Sequence, residues 1–484
     1  MDQFSGLLSP FGPRSISASS CCAQLARTLG PQLSFPGSTI YQSSLSSYWS
    51  LQESTLSPSC ILTPTTPQDV STAVSILSAL PTCQFAIKGG THAPAAGFAN
   101  INGGVTIDLT SLSSISLNND HSVASVGAGA TWLDAYTYLD TFGISVAGGR
   151  NGAVGVGGLT LGGGISYFTP RVGFACDNVV NFEIVLASGA FTNINATSNP
   201  SLFRALKGGA NNFGVVTRFD LSTFPQGEVF DGSFTQTIEY REDVFQAFAN
   251  IAGAKEYDEY ASIVTGLIFN STSKAWVIGS TAVYTKPEPD PEVYKDLGAI
   301  PNVANSTRIV KLGVLANESA TPPLNWLFST GTYEISAPLL GKIFETLNAT
   351  IYNFDIPEGI LWSIAFEPLP TIVTQYGPLK GGNSLGLSPA DGNGIIMLLS
   401  ALWPSSSSND VVQNTARALQ RNVDAVAQKM GKLHEFRYLN YADPGQDPIG
   451  SYGMENVERL RAVSREVDPR GVFQEKVPGG FKLW

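Results

Sequence analysis

Residues 145–167 read SVAGGRNGAVGVGGLTLGGGISY, and nine of these 23 positions are glycine (148, 149, 152, 155, 157, 158, 162, 163 and 164). Glycine lets the backbone take positive φ and lets a ligand come close, because no Cβ stands in the way. Backbone N–H groups in such loops form nests that hold anions. A second run lies upstream, where Lys88–Gly97 reads KGGTHAPAAG. Two such loops in one region suit a long ligand with a diphosphate and a flat ring. Turns in a β-rich fold would explain either run alone, but explain both together, beside a histidine, less well. Neither run sits in a standard nucleotide motif. No G-x-G-x-x-G stands between a strand and a helix in the dinucleotide-binding arrangement, and no G-x-x-x-x-G-K-[ST] occurs. This disfavours a Rossmann site and a P-loop, so another fold must hold the ligand.

The flanks of the two runs alternate strands and helices. Thr66-Pro67-Gln68-Asp69 is a helix start, with a capping Thr, Pro at the first helical position and an early acid. Val70, Val74, Leu77 and Leu80 follow at helical spacing. CQFAIKGG, VTIDL and SVASVGAG read as strands, and Thr131 caps a helix closed by Gly143. Downstream, VVNFEIVLASGAFTNIN predicts two strands around a Ser-Gly turn, and Ser201–Leu206 a short helix. GVVTRFDLSTF predicts a closing strand. After about residue 225 glycine thins out, and helices alternate with apolar runs such as SIVTGLIF, AWVIGSTAVY and GILWSIAFEPL. Near 430 the texture changes again, to FRYLNYADPG, a helix with Leu460, Val463 and Val467 on one side, and DPRGVF. The expected division is a lead-in over 1–55 with one or two short helices, a ligand-binding domain over 56–225, a second domain over 226–425, and a tail over 426–484 that returns to the first. The fold class is α+β.

Composition narrows the function. With 484 residues, 43% apolar and 14% charged, the chain is globular and long enough for two domains. A net charge of −11 argues against a nucleic-acid partner, whose phosphates demand Lys and Arg. No apolar stretch is long enough to span a bilayer, so no membrane is expected. The start, MDQFSGLLSPFGPRS, makes a poor secretory signal, because Asp2 replaces positive charge and Pro10 and Pro13 break the apolar patch. The five N-x-[ST] sequons, at Asn195, Asn270, Asn305, Asn317 and Asn348, are about the chance number in a chain so rich in Ser and Thr. The cysteines are Cys21, Cys22, Cys60, Cys83 and Cys176, with no Cys-x-x-Cys, so no metal site is expected. An odd count leaves a free thiol unless it pairs between chains, and one pairing the spacing allows is Cys21 or Cys22 with Cys60.

Three histidines are present. His121, in the polar turn NNDHS, reads as solvent-exposed, and His434, in GKLHEF, as surface or structural. His92 stands inside the first glycine loop. Gly382-Asn383-Ser384-Leu385-Gly386 matches the G-x-S-x-G nucleophile elbow, but lacks a buried strand before it and has Pro389 soon after. A serine hydrolase is therefore not expected.

The order CILTPTTPQDV, KGGTHAPAAGFANINGGVTIDL, GRNGAVGVGGLTLGGGIS, CDNVVNFEIVLASG and LFRALKGGANNFGVVTRF resembles the FAD-binding domain of the vanillyl-alcohol-oxidase type. More narrowly it resembles the berberine-bridge-enzyme-like oxidases of fungi. The tail, YLNYAD then YGMENVERLRAVSREVDPRGVF, is similar to that subfamily's C-terminal segment. The resemblance covers about 40–225 and 430–475. It implies a two-lobed FAD-binding domain and a substrate domain with an antiparallel sheet and flanking helices. It implies that the first loop, with Gly89, Gly90, Thr91 and Gly97, cradles the diphosphate, and that His92 bonds covalently to the flavin 8α carbon. Val154 matches the position that gates oxygen, and Gly157, Gly158 and Gly163 lie along the cofactor. Gly214, Val215 and Val216 would meet the adenine side through backbone atoms. Some members carry a second tether from a cysteine where this chain has Asn151, so one covalent bond is expected. Read as a strand, the tail would put Tyr438 and Asn440 on one face and Tyr441 on the other. The resemblance implies Asn440 near the flavin ring and a tyrosine near substrate, either Tyr438 or Tyr441 as base, with a pKa that must fall to act at neutral pH. The activity implied is two-electron oxidation of a small molecule, with dioxygen reoxidising the flavin, in biosynthetic tailoring. The alternatives are a carbohydrate oxidase, a cyclase with largely structural FAD, and a binding protein without turnover.

Overall fold

The computed structural model describes residues 18–317 and 323–484. The reading of the first fifteen residues lies outside the described ones. Helices Ala18–Leu29, Thr39–Ser46 and Leu51–Ser54 give the lead-in three helices rather than one or two.

Two small sheets carry the glycine loops. In the first, Leu33–Ser34 pairs antiparallel with Cys60–Leu62, and Cys60–Leu62, Val105–Asp108 and Phe85–Lys88 run parallel. Parallel neighbours need a long crossover. One crossover holds helix Pro67–Ala79, whose start forms the expected capping box between Thr66 and Asp69. The other, from Phe85–Lys88 to Val105–Asp108, contains no helix or strand. It is the first glycine loop, and its length follows from having to travel the depth of the sheet. Buried Lys88 and Asp108 face each other in register and form an ion pair of 2.7 Å at its root. The second sheet is antiparallel, in the order Ile115–Leu117, Val123–Gly127, Val215–Ser222, Val179–Val185, Phe191–Asn195. One apolar cluster unites both sheets with the C-terminal segment through Phe473, Val477 and Leu483.

The third sheet has eight antiparallel strands, in the order Ala304–Val310, Val229–Thr237, Ala275–Tyr284, Ala261–Asn270, Leu361–Leu369, Gly394–Trp403, Asn325–Glu334, Leu433–His434. Its alternating residues, such as Ile263, Leu267 and Phe269, join a second apolar cluster with helices Arg241–Ala252, Ala337–Ile351 and Asn409–Lys429. Val412, Ala416, Leu419, Val423 and Ala427 form the buried stripe of the longest helix, three to four residues apart as an amphipathic helix requires.

Three expectations change. The second glycine run is not all loop, because Val156–Leu161 is helical, begun by Gly155. The segment around Tyr438–Tyr441 is not a strand. Leu439–Tyr441 forms a 3-10 turn in which the Tyr441 N–H returns to the Tyr438 carbonyl, so local bonds replace a partner strand. Two disulfides form, Cys22–Cys60 and Cys21–Cys83, leaving Cys176 free and buried. The second pairing depends on helix Ala18–Leu29 lying against helix Pro67–Ala79, which no spacing reveals.

Candidate active site

The two glycine runs meet. A Cβ on Gly90 would lie 2.0 Å from the Gly155 Cα, and one on Gly155 would lie 2.4 Å from the Gly90 Cα. These two glycines serve the contact between the loops. Others leave room: a Cβ on Gly97 or Gly158 meets nothing within 4 Å, and on Gly89 only Ala128 O at 3.6 Å. Gly157 is in ordinary contact with the same carbonyl, at 3.5 Å. Gly163 has φ +113° beside Tyr438 and Leu385. Thr91 takes φ 64°, strained for a β-branched residue, and its hydroxyl donates to Ser47 O at 2.9 Å. Gly214 is required by packing, since a Cβ would fall 2.6 Å from Val185 O. Val215 and Val216 lie in the ladder opposite Val185 and Ile184, with buried side chains.

Glu53 holds the first loop from outside. Its buried carboxylate accepts from Gly97 N at 3.1 Å and Ala99 N at 2.6 Å. Burial raises its pKa to about 7, against the lowering effect of those backbone N–H groups. His92 is half-buried and stacks on Trp49, with ring centroids 4.2 Å apart. Trp49 in turn stacks on Trp326 of the large sheet at 3.9 Å. Burial lowers the His92 pKa to about 4, so its imidazole is neutral at physiological pH. A neutral ring nitrogen is the form that can bond to carbon. The open glycine positions and this imidazole fit the flavin nucleotide implied by the fold.

A second constellation comes from three distant segments. Arg150 Nη2 donates to Glu367 Oε1 at 2.7 Å and to Tyr441 Oη at 2.8 Å. Tyr441 Oη donates to the same Glu367 Oε1 at 2.9 Å. The other carboxylate oxygen, Oε2, is buried and has no partner among the described residues. Glu367 and Arg150 line a cavity with Ser166, Thr169, Tyr257 and Val373. Burial opposes the Arg150 charge, but Glu367 and Tyr441 beside it hold its pKa above the ordinary value. Tyr438 accepts from Ile165 N at 2.8 Å and from Asn440 Nδ2 at 3.0 Å. Asn440 also donates to Leu159 O at 3.0 Å, which puts it against the second glycine run. Burial pushes both phenols up, and for Tyr441 the Glu367 charge adds to it. Neither tyrosine is therefore a resting phenolate at neutral pH.

The structure brings Tyr438, Asn440 and Gly163 together, and His92, Thr91 and Gly90 together. Val154 is half-buried, and its carbonyl accepts from Trp132 N. Asn151 Oδ1 caps its own turn by accepting from Ala153 N at 2.8 Å. His121 is exposed, and His434 accepts from Phe436 N through Nδ1. Ser384 donates to Arg204 O at 3.0 Å, with no strand before it. Sequence reasoning missed Arg150, Glu367, Glu53 and Trp49. Two of these had a signal: Arg150 is the one charge in the glycine run, and Glu367 the one charge in LWSIAFEPL.

The FAD binding domain family matches residues 58–195. An FAD-dependent monooxygenase of Emericella nidulans is 36% identical over 471 residues, covering 96% of this chain and 98% of that protein. An FAD-dependent monooxygenase of Cochliobolus heterostrophus is 34% identical, covering 96% and 94%. Among solved structures, the xylooligosaccharide oxidase of Myceliophthora thermophila has a TM-score of 0.77 at 20% identity, covering 96% and 99%. A berberine-bridge-enzyme-like protein of Physcomitrella patens has 0.76 at 17%, covering 97% and 99%. These structures share the fold of two small sheets joined to a large antiparallel one. Identity to the fungal relatives runs almost end to end, and the chain belongs to their family, the fungal FAD-dependent oxidoreductases.

Proposed function

We propose that this FAD-dependent oxidoreductase removes two electrons from a C–H bond of a small organic substrate held between the glycine loops and the large sheet, and that Glu367 takes the accompanying proton. One observation carries this reading: Glu367 has one oxygen pinned by Arg150 and Tyr441 and the other buried, unpartnered and in a cavity wall. Such a carboxylate is oriented and ready to accept a proton from substrate. Bound FAD supplies the two-electron acceptor. Arg150 and Tyr441 together fix the direction of its free oxygen. Tyr438 and Asn440 order the second glycine run at Ile165 and Leu159, the side of the site where the flavin ring would lie. Residues 56–225 and 426–484 would hold the cofactor, and 226–425 would frame the substrate.

In this reading His92 carries the flavin on its neutral ring nitrogen, with Trp49 stacked behind it, as the one covalent attachment. Gly89, Gly97, Gly157 and Gly158 line the cofactor, with Val154 on the path of dioxygen. The substrate is a secondary metabolite, as the family resemblance implies. The partly exposed Trp49–Trp326 stack supports a second reading, a carbohydrate oxidase, since sugar rings lie well on indole faces.

The test is absorbance before and after acid precipitation, followed by anaerobic addition of candidate substrates. Yellow colour staying with the pellet, and released in His92→Ala, is the expected result. Colour released from the unaltered protein removes the tether and leaves the FAD site. Bleaching by phenolic or polyketide-like compounds but not oligosaccharides is expected, and the reverse selects the second reading. Turnover under ¹⁸O₂ separates hydrogen peroxide production from oxygen insertion into product.

A further inference from the structure

We propose that Asn270 and Asn305 are N-glycosylated and that the chain folds in an oxidising lumen. Five sequons are no more than chance expects, but their places in the fold are not equivalent. Asn270 ends strand Ala261–Asn270 and is exposed. Its Oδ1 accepts from Thr272 N at 2.9 Å and Ser273 N at 3.3 Å, and its Nδ2 has no partner among the described residues. Nδ2 is the atom that receives sugar. Asn305 lies on the edge strand Ala304–Val310, within a run of exposed residues. Asn348 differs: it is half-buried in helix Ala337–Ile351, with its Oδ1 held by the Trp276 indole N–H at 2.8 Å.

Two further observations support occupancy. Cys21–Cys83 and Cys22–Cys60 are both buried, with Cα atoms 5.9 and 6.1 Å apart. Each bond needs loss of two electrons and two protons from a thiol pair to a disulfide-bearing oxidant, which the secretory lumen supplies and the cytosol withholds. The same lumen delivers oligosaccharide on a polyprenyl diphosphate. There the Asn Nδ2 forms the bond to sugar C1, loses a proton, and the diphosphate leaves.

The second observation is what surrounds each asparagine. On the sheet face of Asn270, Ile268 is 46% exposed, Val277 opposite it 42%, and Leu361 opposite Asn270 36%. Three partly exposed apolar side chains thus lie near Asn270 on this face. A sugar at Asn270 stands over them. Asn305 sits on the open edge of the large sheet, where unpaired backbone groups invite pairing with another chain. A glycan there blocks that approach.

The test uses the full chain expressed in a filamentous fungus and isolated from culture medium and cell extract alike. Peptides are mapped without reduction, after enzymatic deglycosylation in H₂¹⁸O. Expected are both disulfide-linked peptides and ¹⁸O-labelled aspartate at 270 and 305, with Asn348 unlabelled. Thr272→Ala, which keeps the Asn270 turn, should lose the 270 label alone and retain flavin content. Disulfide-bonded chain with neither position labelled overturns the glycan proposal. Chain isolated with free thiols at Cys21, Cys22, Cys60 and Cys83 overturns the compartment.

Discussion

The two halves of the candidate site are built in opposite ways. The proposed cofactor side is made of backbone: Gly90 against Gly155, Thr91 at φ 64°, and open positions at Gly97 and Gly158. The proposed substrate side is made of side chains, Arg150, Glu367 and Tyr441, from segments more than 200 residues apart for Arg150 and Glu367. A backbone site needs residues that lack a Cβ, and these cluster in sequence. A side-chain site needs only that distant strands deliver the right groups. The first leaves a mark in composition and the second does not.

The sharpest way to break this contrast is to add a Cβ on the cofactor side. Gly90→Val should destabilise the protein by about 3 kcal/mol or more, because backbone must move. Thermal melting and flavin content per chain should both fall. Gly158→Ala, placed in open space, should leave the melting temperature unchanged and weaken flavin retention alone. Equal effects of the two substitutions would abolish the distinction between packing glycines and cofactor glycines.

On the substrate side the effects should appear in rate. Glu367→Gln keeps the shape and an acceptor for Arg150, so flavin content should hold. Anaerobic flavin reduction should slow by about 10²–10⁴-fold, the range for loss of a general base. Tyr441→Phe removes one hydrogen bond to Glu367 and should cost about tenfold. A larger loss in Tyr441→Phe than in Glu367→Gln would return the base to the tyrosine.

The smallest effects concern pH, in flavin-free protein. The Glu53 pKa rises on folding to about 7, chiefly through burial. Its contribution to stability is therefore full below the ordinary carboxylate pKa and is lost as pH rises through about 7. The His92 pKa falls to about 4, also through burial. Its contribution is present above about 6.5 and is lost as pH falls through about 4. The two windows overlap between about pH 4 and 7 and the contributions oppose each other, so Glu53→Gln should make the melting temperature rise more steeply with pH there and His92→Ala should make it fall more steeply. A profile unchanged by either substitution would mean that the first loop does not bury these groups.

Much of the fold was legible from local signals. The helix caps at Thr66 and Thr131 form as read, since capping acts within one turn, and at Thr131 the structure adds Asp134 as the partner of a capping box. The strand pair Val179–Val185 and Phe191–Asn195 follows the Ser-Gly turn. The tail near Tyr438 was misread because apolar and polar residues alternate there, while no neighbouring strand offers a ladder. Glu53 carried no signal at all: an acid in a short helix is ordinary until the loop that it holds is in place.

Sequence alone therefore determined the glycine-dense frame, because backbone conformation and ligand approach depend on which residues lack a Cβ, and the order of its motifs carried the resemblance to the FAD-linked class. Tertiary structure decided that Gly90 and Gly155 serve each other, that Cys21 meets Cys83, and that Glu367 faces Arg150 and Tyr441 with one oxygen free. These are relations between distant segments. They exist only after two cores have formed and brought the segments within a few ångströms of one another.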